Sequence, residues 1–99
     1  MTDTPPLLLY RRAGCQLCDD ARSVVAALLA RRAAAGHPVP DLREVDIEAD
    51  PDLEASYVFT IPVLEFGGQR LELATSARRI AGFLARILGE EGSSREAPS

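Results

Sequence analysis

The chain has 99 residues, enough for one domain that buries a core without disulfide staples. Hydrophobic residues make up 46% of it and charged residues 26%, the balance of an ordinary globular protein, and no apolar run approaches the roughly 20 residues that span a bilayer. The net charge of −4 argues against a phosphate-backbone ligand, so neither nucleic acid nor membrane is expected as a partner.

Residues 1–6 read as a short N-terminal extension that does not resemble a secretory signal, and the expected location is the cytoplasm. Residues 7–10, Leu-Leu-Leu-Tyr, form a short apolar run of the kind found in a buried strand. Arg11-Arg12-Ala13-Gly14 is a loop. A helix follows, in which Leu17, Ala21, Val24, Val25 and Leu28 recur at helical spacing. Asp19 and Asp20 near its start and Arg31 and Arg32 near its end suit the helix dipole. Gly36, Pro38 and Pro40 stop it.

Residues 41–47 predict a second strand with Leu42, Val45 and Ile47 apolar. Asp50-Pro51 places an N-cap and a first-turn proline at the start of a short helix ending near Ser56 or Tyr57. Residues 61–66 and 69–73 predict a hairpin around Gly67-Gly68. Its register sets Phe66 against Gln69, Glu65 against Arg70 and Leu64 against Leu71, with Leu64, Phe66, Leu71 and Leu73 on one face. Thr75 or Ser76 caps a last helix bearing Ile80, Phe83, Leu84, Ile87 and Leu88, and Gly89 ends it. The folded domain is thus residues 7–89, and the polar residues 90–99 read as a disordered tail. The order is β-α-β-α-β-β-α, an α/β domain whose first two strands run parallel through a right-handed crossover.

Chemistry concentrates at Cys15 and Cys18. The chain holds only these two cysteines, too few for a disulfide scaffold. Cys15 falls where a strand ends and a helix begins, so unpaired amides and the positive helix end stabilise a thiolate there. Cys18 lies one turn on, able to close a small disulfide and act as the resolving thiol. Arg11 and Arg12 add positive potential upstream and are candidate contacts for an anionic substrate. A proline just inside a strand is unusual, and Pro62 is predicted near the carboxyl end of the first strand, facing the dithiol.

Taken together, Leu7-Leu8-Leu9-Tyr10, Gly14-Cys15-Gln16-Leu17-Cys18-Asp19, Val45-Asp46-Ile47, Asp50-Pro51 and Ile61-Pro62-Val63-Leu64 resemble glutaredoxin-like proteins of the thioredoxin superfamily. The resemblance, closest to a small bacterial branch, runs from about Leu7 to Leu88. It implies a minimal thioredoxin-like fold: a four-stranded mixed sheet of order 2-1-3-4 with helices on both faces. It also implies a cis peptide before Pro62, and that Ile61 offers backbone groups to an extended thiol substrate. Glutaredoxins hold glutathione partly through a Gly-Gly-Asp segment before the last helix; here those positions read Leu73-Ala74-Thr75-Ser76. Gln16-Leu17 stands where Pro-Tyr is usual.

The function expected is thiol–disulfide exchange, with Cys15 the nucleophile and Cys18 the resolving thiol. Expected partners are protein or low-molecular-weight disulfides and a reductant, either glutathione or a thioredoxin-reductase-type donor. No tightly bound cofactor and no metal is expected, glutathione remaining a candidate ligand without its family motif. Two other classes stay open. The dithiol could be half of an intermolecular metal or iron–sulfur site, since zinc needs four ligands and the only histidine is His37. The domain could also be a binding module with vestigial chemistry.

Overall fold

β1 (Leu7–Arg11) is apolar along nearly its whole length because it is buried on both sides. Leu7 and Leu9 enter one core cluster, while Tyr10 enters another with Leu8 packed against it. The structure, a computed structural model, describes residues 4–89. The tail expected at residues 90–99 lies outside the described residues, as do the first three residues of the expected extension.

Gly14, at φ 76°, turns the chain from β1 into α1 (Gln16–Ala34). Cys18, Ala21, Val25 and Leu29 are the buried positions of α1. Ala21 and Val25 are buried as predicted, but Val24 and Leu28 are half-buried at the edge of the stripe and Leu17 is exposed. The physical reason is that Cys18, a small apolar side chain, continues the buried row toward the helix start.

β2 (Leu42–Asp46) pairs parallel with β1, Leu7 opposite Leu42 and Arg11 opposite Asp46. It ends before Ile47, which was expected in the strand, because the Asp46 carboxylate accepts the Glu48 N–H at 2.9 Å. That cap starts a single 3-10 turn, Ile47–Ala49, with Ile47 buried. Asp50 then accepts the Asp52 N–H at 2.9 Å and α2 (Pro51–Tyr57) follows.

β3 (Val63–Phe66) runs antiparallel to β1 and β4 (Gln69–Leu71) antiparallel to β3. Phe66 faces Gln69, Glu65 faces Arg70 and Leu64 faces Leu71, as predicted. Gly67 and Gly68, at φ 54° and 89°, supply the two positive angles of the turn. Both strands are shorter than predicted. The Ile61 N–H donates to the Tyr57 carbonyl and Pro62 has no N–H, so neither can donate to the ladder. At the other end the Leu73 N–H turns away to the Thr60 carbonyl, and Leu73 is exposed rather than on the buried face.

Ser76 caps α3 (Ala77–Leu88), its Oγ accepting the Arg79 N–H at 3.2 Å. The finished sheet has four strands in the order β2-β1-β3-β4. On one face Leu7, Leu9 and Leu64 pack with Val25 and Leu29 of α1 and Phe83 of α3. On the other, Tyr10 and Val63 pack with Ile47 and Tyr57, at the end of α2. Helices therefore cover both faces.

Candidate active site

The strand-to-helix junction puts both sulfurs at the opening of α1. Cys15 is the N-cap residue, in extended backbone geometry, and is bonded to Cys18 in a disulfide with Cα atoms 5.2 Å apart. The Cys18 N–H points at Cys15 Sγ at 3.1 Å. The Cys15 carbonyl accepts from the amides of Cys18 and Asp19, each at 3.1 Å. Cys15 is partly exposed and Cys18 fully buried. The first sulfur can thus meet a partner while the second is sheltered beneath it.

Arg11 lies at the end of β1 with a side chain only 15% exposed. Its Nη2 approaches Asp19 Oδ1 at 2.7 Å and its Nη1 donates to Glu44 Oε1 at 3.2 Å. Hydrogen bonding to Asp19, and then the charges of Asp19 and Glu44, push its pKa further up against the opposing effect of burial. Arg22 stands 4.0 Å from the other Glu44 oxygen. Arg11 therefore ties the first turn of α1 to β2, and its charge is engaged by carboxylates. Arg12 is exposed, and its carbonyl accepts from Arg11 Nη2 at 3.3 Å. A cavity of about 210 Å³ beside it is lined by Arg11, Arg12, Ala13, Glu44 and Asp46. Of the two predicted arginines, Arg11 is ion-paired, and among the described residues Arg12 makes no ion pair.

The peptide between Ile61 and Pro62 is cis. Tyr10 pairs with Val63, so Ile61 and Pro62 come in at the carboxyl end of β1, the end from which the chain reaches Cys15. Pro62 is buried and its carbonyl accepts the Ala74 N–H at 2.8 Å. Two exposed apolar residues also belong to this end: Phe59, which the sequence reading passed over, and Leu73, which it placed on the apolar face of the hairpin. The only signal for Phe59 was an apolar residue in a loop, which periodicity cannot place on a face. Among the described residues no group of three or more His, Cys, Asp or Glu gathers as a metal site.

Residues 6–85 match the family described as Glutaredoxin-like domain (DUF836). The chain belongs to this family. The glutaredoxin-like protein is also similar to the Northeast Structural Genomics target XcR50 from X. campestris. Against that X-ray structure it has 32% identity and a TM-score of 0.64, over 81% of this chain and 96% of the other. Two more distant structures share the fold. Protein Ne2328 from Nitrosomonas europaea has 20% identity and a TM-score of 0.62, with coverage of 84% and 94%. The germline-specific thioredoxin Deadhead from Drosophila melanogaster has 19% identity and a TM-score of 0.59, with coverage of 86% and 82%. No curated protein matches the chain.

Family, fold and the Cys15–Cys18 disulfide together give this glutaredoxin-like protein a redox role based on thiols and disulfides. Among the described residues, no helix is long and apolar enough to cross a membrane.

Proposed function

We propose that this protein is a thiol–disulfide oxidoreductase in which Cys15 attacks and Cys18 resolves. One observation carries the reading: the two sulfurs are bonded at the opening of α1, Cys15 partly exposed and Cys18 buried. In the reduced protein the amides and dipole of a 19-residue helix favour a thiolate at Cys15.

That thiolate attacks one sulfur of a substrate disulfide. A bond forms from Cys15 Sγ, the substrate S–S bond breaks, and the departing sulfur leaves as a thiolate that takes up a proton. Cys18, once deprotonated, attacks Cys15 Sγ; the intramolecular disulfide closes and the second substrate thiolate is released and protonated. The substrate gains two electrons and two protons, and the protein loses the same. Glutathione or a thioredoxin-reductase-type donor returns them.

Ile61 and Pro62 shape the groove in which an extended substrate lies as an added strand. Arg12 meets anionic groups on the substrate. Arg11 acts differently, as a positioning residue: it pairs with Asp19, the carboxylate next in sequence to Cys18, and offsets its charge. Both protein and small-molecule disulfides fit this scheme, and no bound cofactor enters it.

The experiment is substitution of each cysteine, with reduction of bis(hydroxyethyl) disulfide as the readout. Cys15→Ser abolishes the activity. Cys18→Ser still attacks but stops at the mixed disulfide, which mass spectrometry detects as an adduct on Cys15. Full activity in Cys15→Ser overturns the proposal.

A further inference from the structure

Four large apolar side chains are exposed among the described residues: Phe59 at 89%, Leu17 at 53%, Leu73 at 48% and Val39 at 38%. Val39 stands apart, before β2, near the opposite end of the sheet where the Leu7 N–H meets the Asp41 carbonyl. The other three, one in the first turn of α1 and two on loops, are gathered by the fold at one end. Leu17 lies between the two cysteines. Phe59 precedes Ile61 and Pro62 in the loop after α2. Leu73 follows β4, and its N–H donates to the Thr60 carbonyl at 2.9 Å while the Ala74 N–H donates to the Pro62 carbonyl at 2.8 Å. Those two backbone bonds lace the Phe59 and Leu73 loops together beside the dithiol end of β1. Leu73 also holds φ 51°, a strained angle for leucine, so its outward position is not the relaxed choice of the backbone.

An open groove of about 480 Å³ runs beside Leu73, lined by Arg70, Leu71, Glu72, Leu73 and Arg79. Its charges are unequal, two guanidiniums against one carboxylate, on a chain whose net charge is −4. Arg79 donates to the carbonyls of Leu73 and Glu72 at 2.8 and 3.1 Å, and Arg70 lies 5.3 Å over the Tyr57 ring. Carbonyl dipoles and a ring face hold a cation in place without neutralising it, and Glu65, which faces Arg70 across the hairpin, accepts the Tyr10 hydroxyl. A positive groove thus adjoins an apolar patch at the redox end of an acidic protein.

We propose that this end docks an extended segment of a partner protein. That segment carries a large apolar side chain close to its redox cysteine, seated on Phe59 and Leu73, and a carboxylate further along, paired with Arg70 and Arg79. The inference rests on the thiol–disulfide reading and names its substrate class; docking precedes the exchange described above and adds no bond or electron to it. Charge decides the occupant. A second copy whose two-fold axis passes through the groove would set its arginines against the same arginines, whereas an acidic segment of a partner complements them.

The test uses short synthetic peptides whose single cysteine is linked as a symmetric disulfide, with the reduced protein as attacking thiol. One peptide has leucine beside the cysteine and a glutamate beyond it; a second replaces the leucine with serine; a third replaces the glutamate with lysine. Bis(hydroxyethyl) disulfide, neutral and without side chains, reports the intrinsic chemistry. Burying one large apolar side chain is worth about a tenfold change, so the leucine–glutamate peptide reacts about tenfold faster than the serine peptide. Phe59→Ser and Leu73→Ser remove that preference, and Arg70→Gln removes the preference for glutamate over lysine. Both hydrophobic positions are exposed, so these variants fold. If the small disulfide is not reduced by the wild-type protein, the thiol–disulfide reading itself falls. If it is reduced but the peptides react at equal rates, or Phe59→Ser leaves their ranking intact, only the docking inference falls. A dimer of the wild-type protein that Phe59→Ser dissociates also overturns it, by giving the patch to a second copy.

Discussion

Asp19 poses an electrostatic problem that Arg11 answers. A carboxylate in the first turn of α1 suits the helix dipole but opposes a thiolate at Cys15. Arg11, at 2.7 Å, sets a cation against it. Replacing Arg11 with methionine uncovers Asp19, so the Cys15 thiol pKa rises and the alkylation profile of the reduced protein moves to higher pH. Asp19→Asn in the same background moves it back, which a merely structural role for Arg11 would not produce. Tyr10 makes a second residue-scale case. Its hydroxyl donates to Glu65 Oε1 at 2.7 Å and its ring stacks on Tyr57 with centroids 4.3 Å apart. Burial, reinforced by the Glu65 carboxylate, pushes the Tyr10 hydroxyl well above its ordinary value. The folded state therefore keeps a proton that the unfolded chain releases near about pH 10. The resulting stability is fully present below that pH and is lost as pH rises toward the folded-state pKa. Tyr10→Phe costs about 1–2 kcal/mol at neutral pH and flattens the alkaline decline, measured by urea midpoints between about pH 8 and pH 11.

At the scale of elements, each helix begins on a side chain that accepts a backbone N–H: Cys15 for α1, Asp50 for α2 and Ser76 for α3. Two of these caps were legible, because Asp-Pro and Ser are ordinary N-terminal signals. Ser76→Ala loses about 1 kcal/mol, read as a lower urea midpoint with unchanged slope. The hairpin register was legible for a similar reason: two glycines in a two-residue turn leave only one pairing that keeps Leu64 and Leu71 on the same face. Strand ends were not legible. Asp46, Ile61 and Leu73 each end or delay a strand through a hydrogen bond to a nearby residue outside the ladder. The start of the α1 stripe was misread because Cys18 counted as chemistry, when it is also core.

For the whole molecule, one sheet separates two apolar clusters, so damage to either is felt by the central strand β1 that both share. Phe83 is almost wholly buried among residues of β1, α1 and α3. Phe83→Ala removes about 3–5 kcal/mol, a large part of the roughly 5–15 kcal/mol that holds a domain folded. The variant unfolds at low urea in one transition seen alike by far-ultraviolet circular dichroism and tyrosine fluorescence. Arg32 adds a tie at the far end, its guanidinium donating to the carbonyls of Leu88 and Gly89 and so joining the ends of α1 and α3.

Local patterns in the chain were enough to determine the element order, the hairpin register, two of the helix caps and the placement of two cysteines at a helix start. Each depends on neighbours within a few residues, where propensity and steric rules act. Tertiary structure alone decided that Arg11 turns to Asp19 and Glu44, that Glu65 takes the Tyr10 hydroxyl while Arg70 turns to Tyr57, and that Phe59 and Leu73 share one end with the dithiol. Those outcomes join segments tens of residues apart, and which partner a charge or an apolar side chain meets there is set by packing of the sheet, not by spacing along the chain.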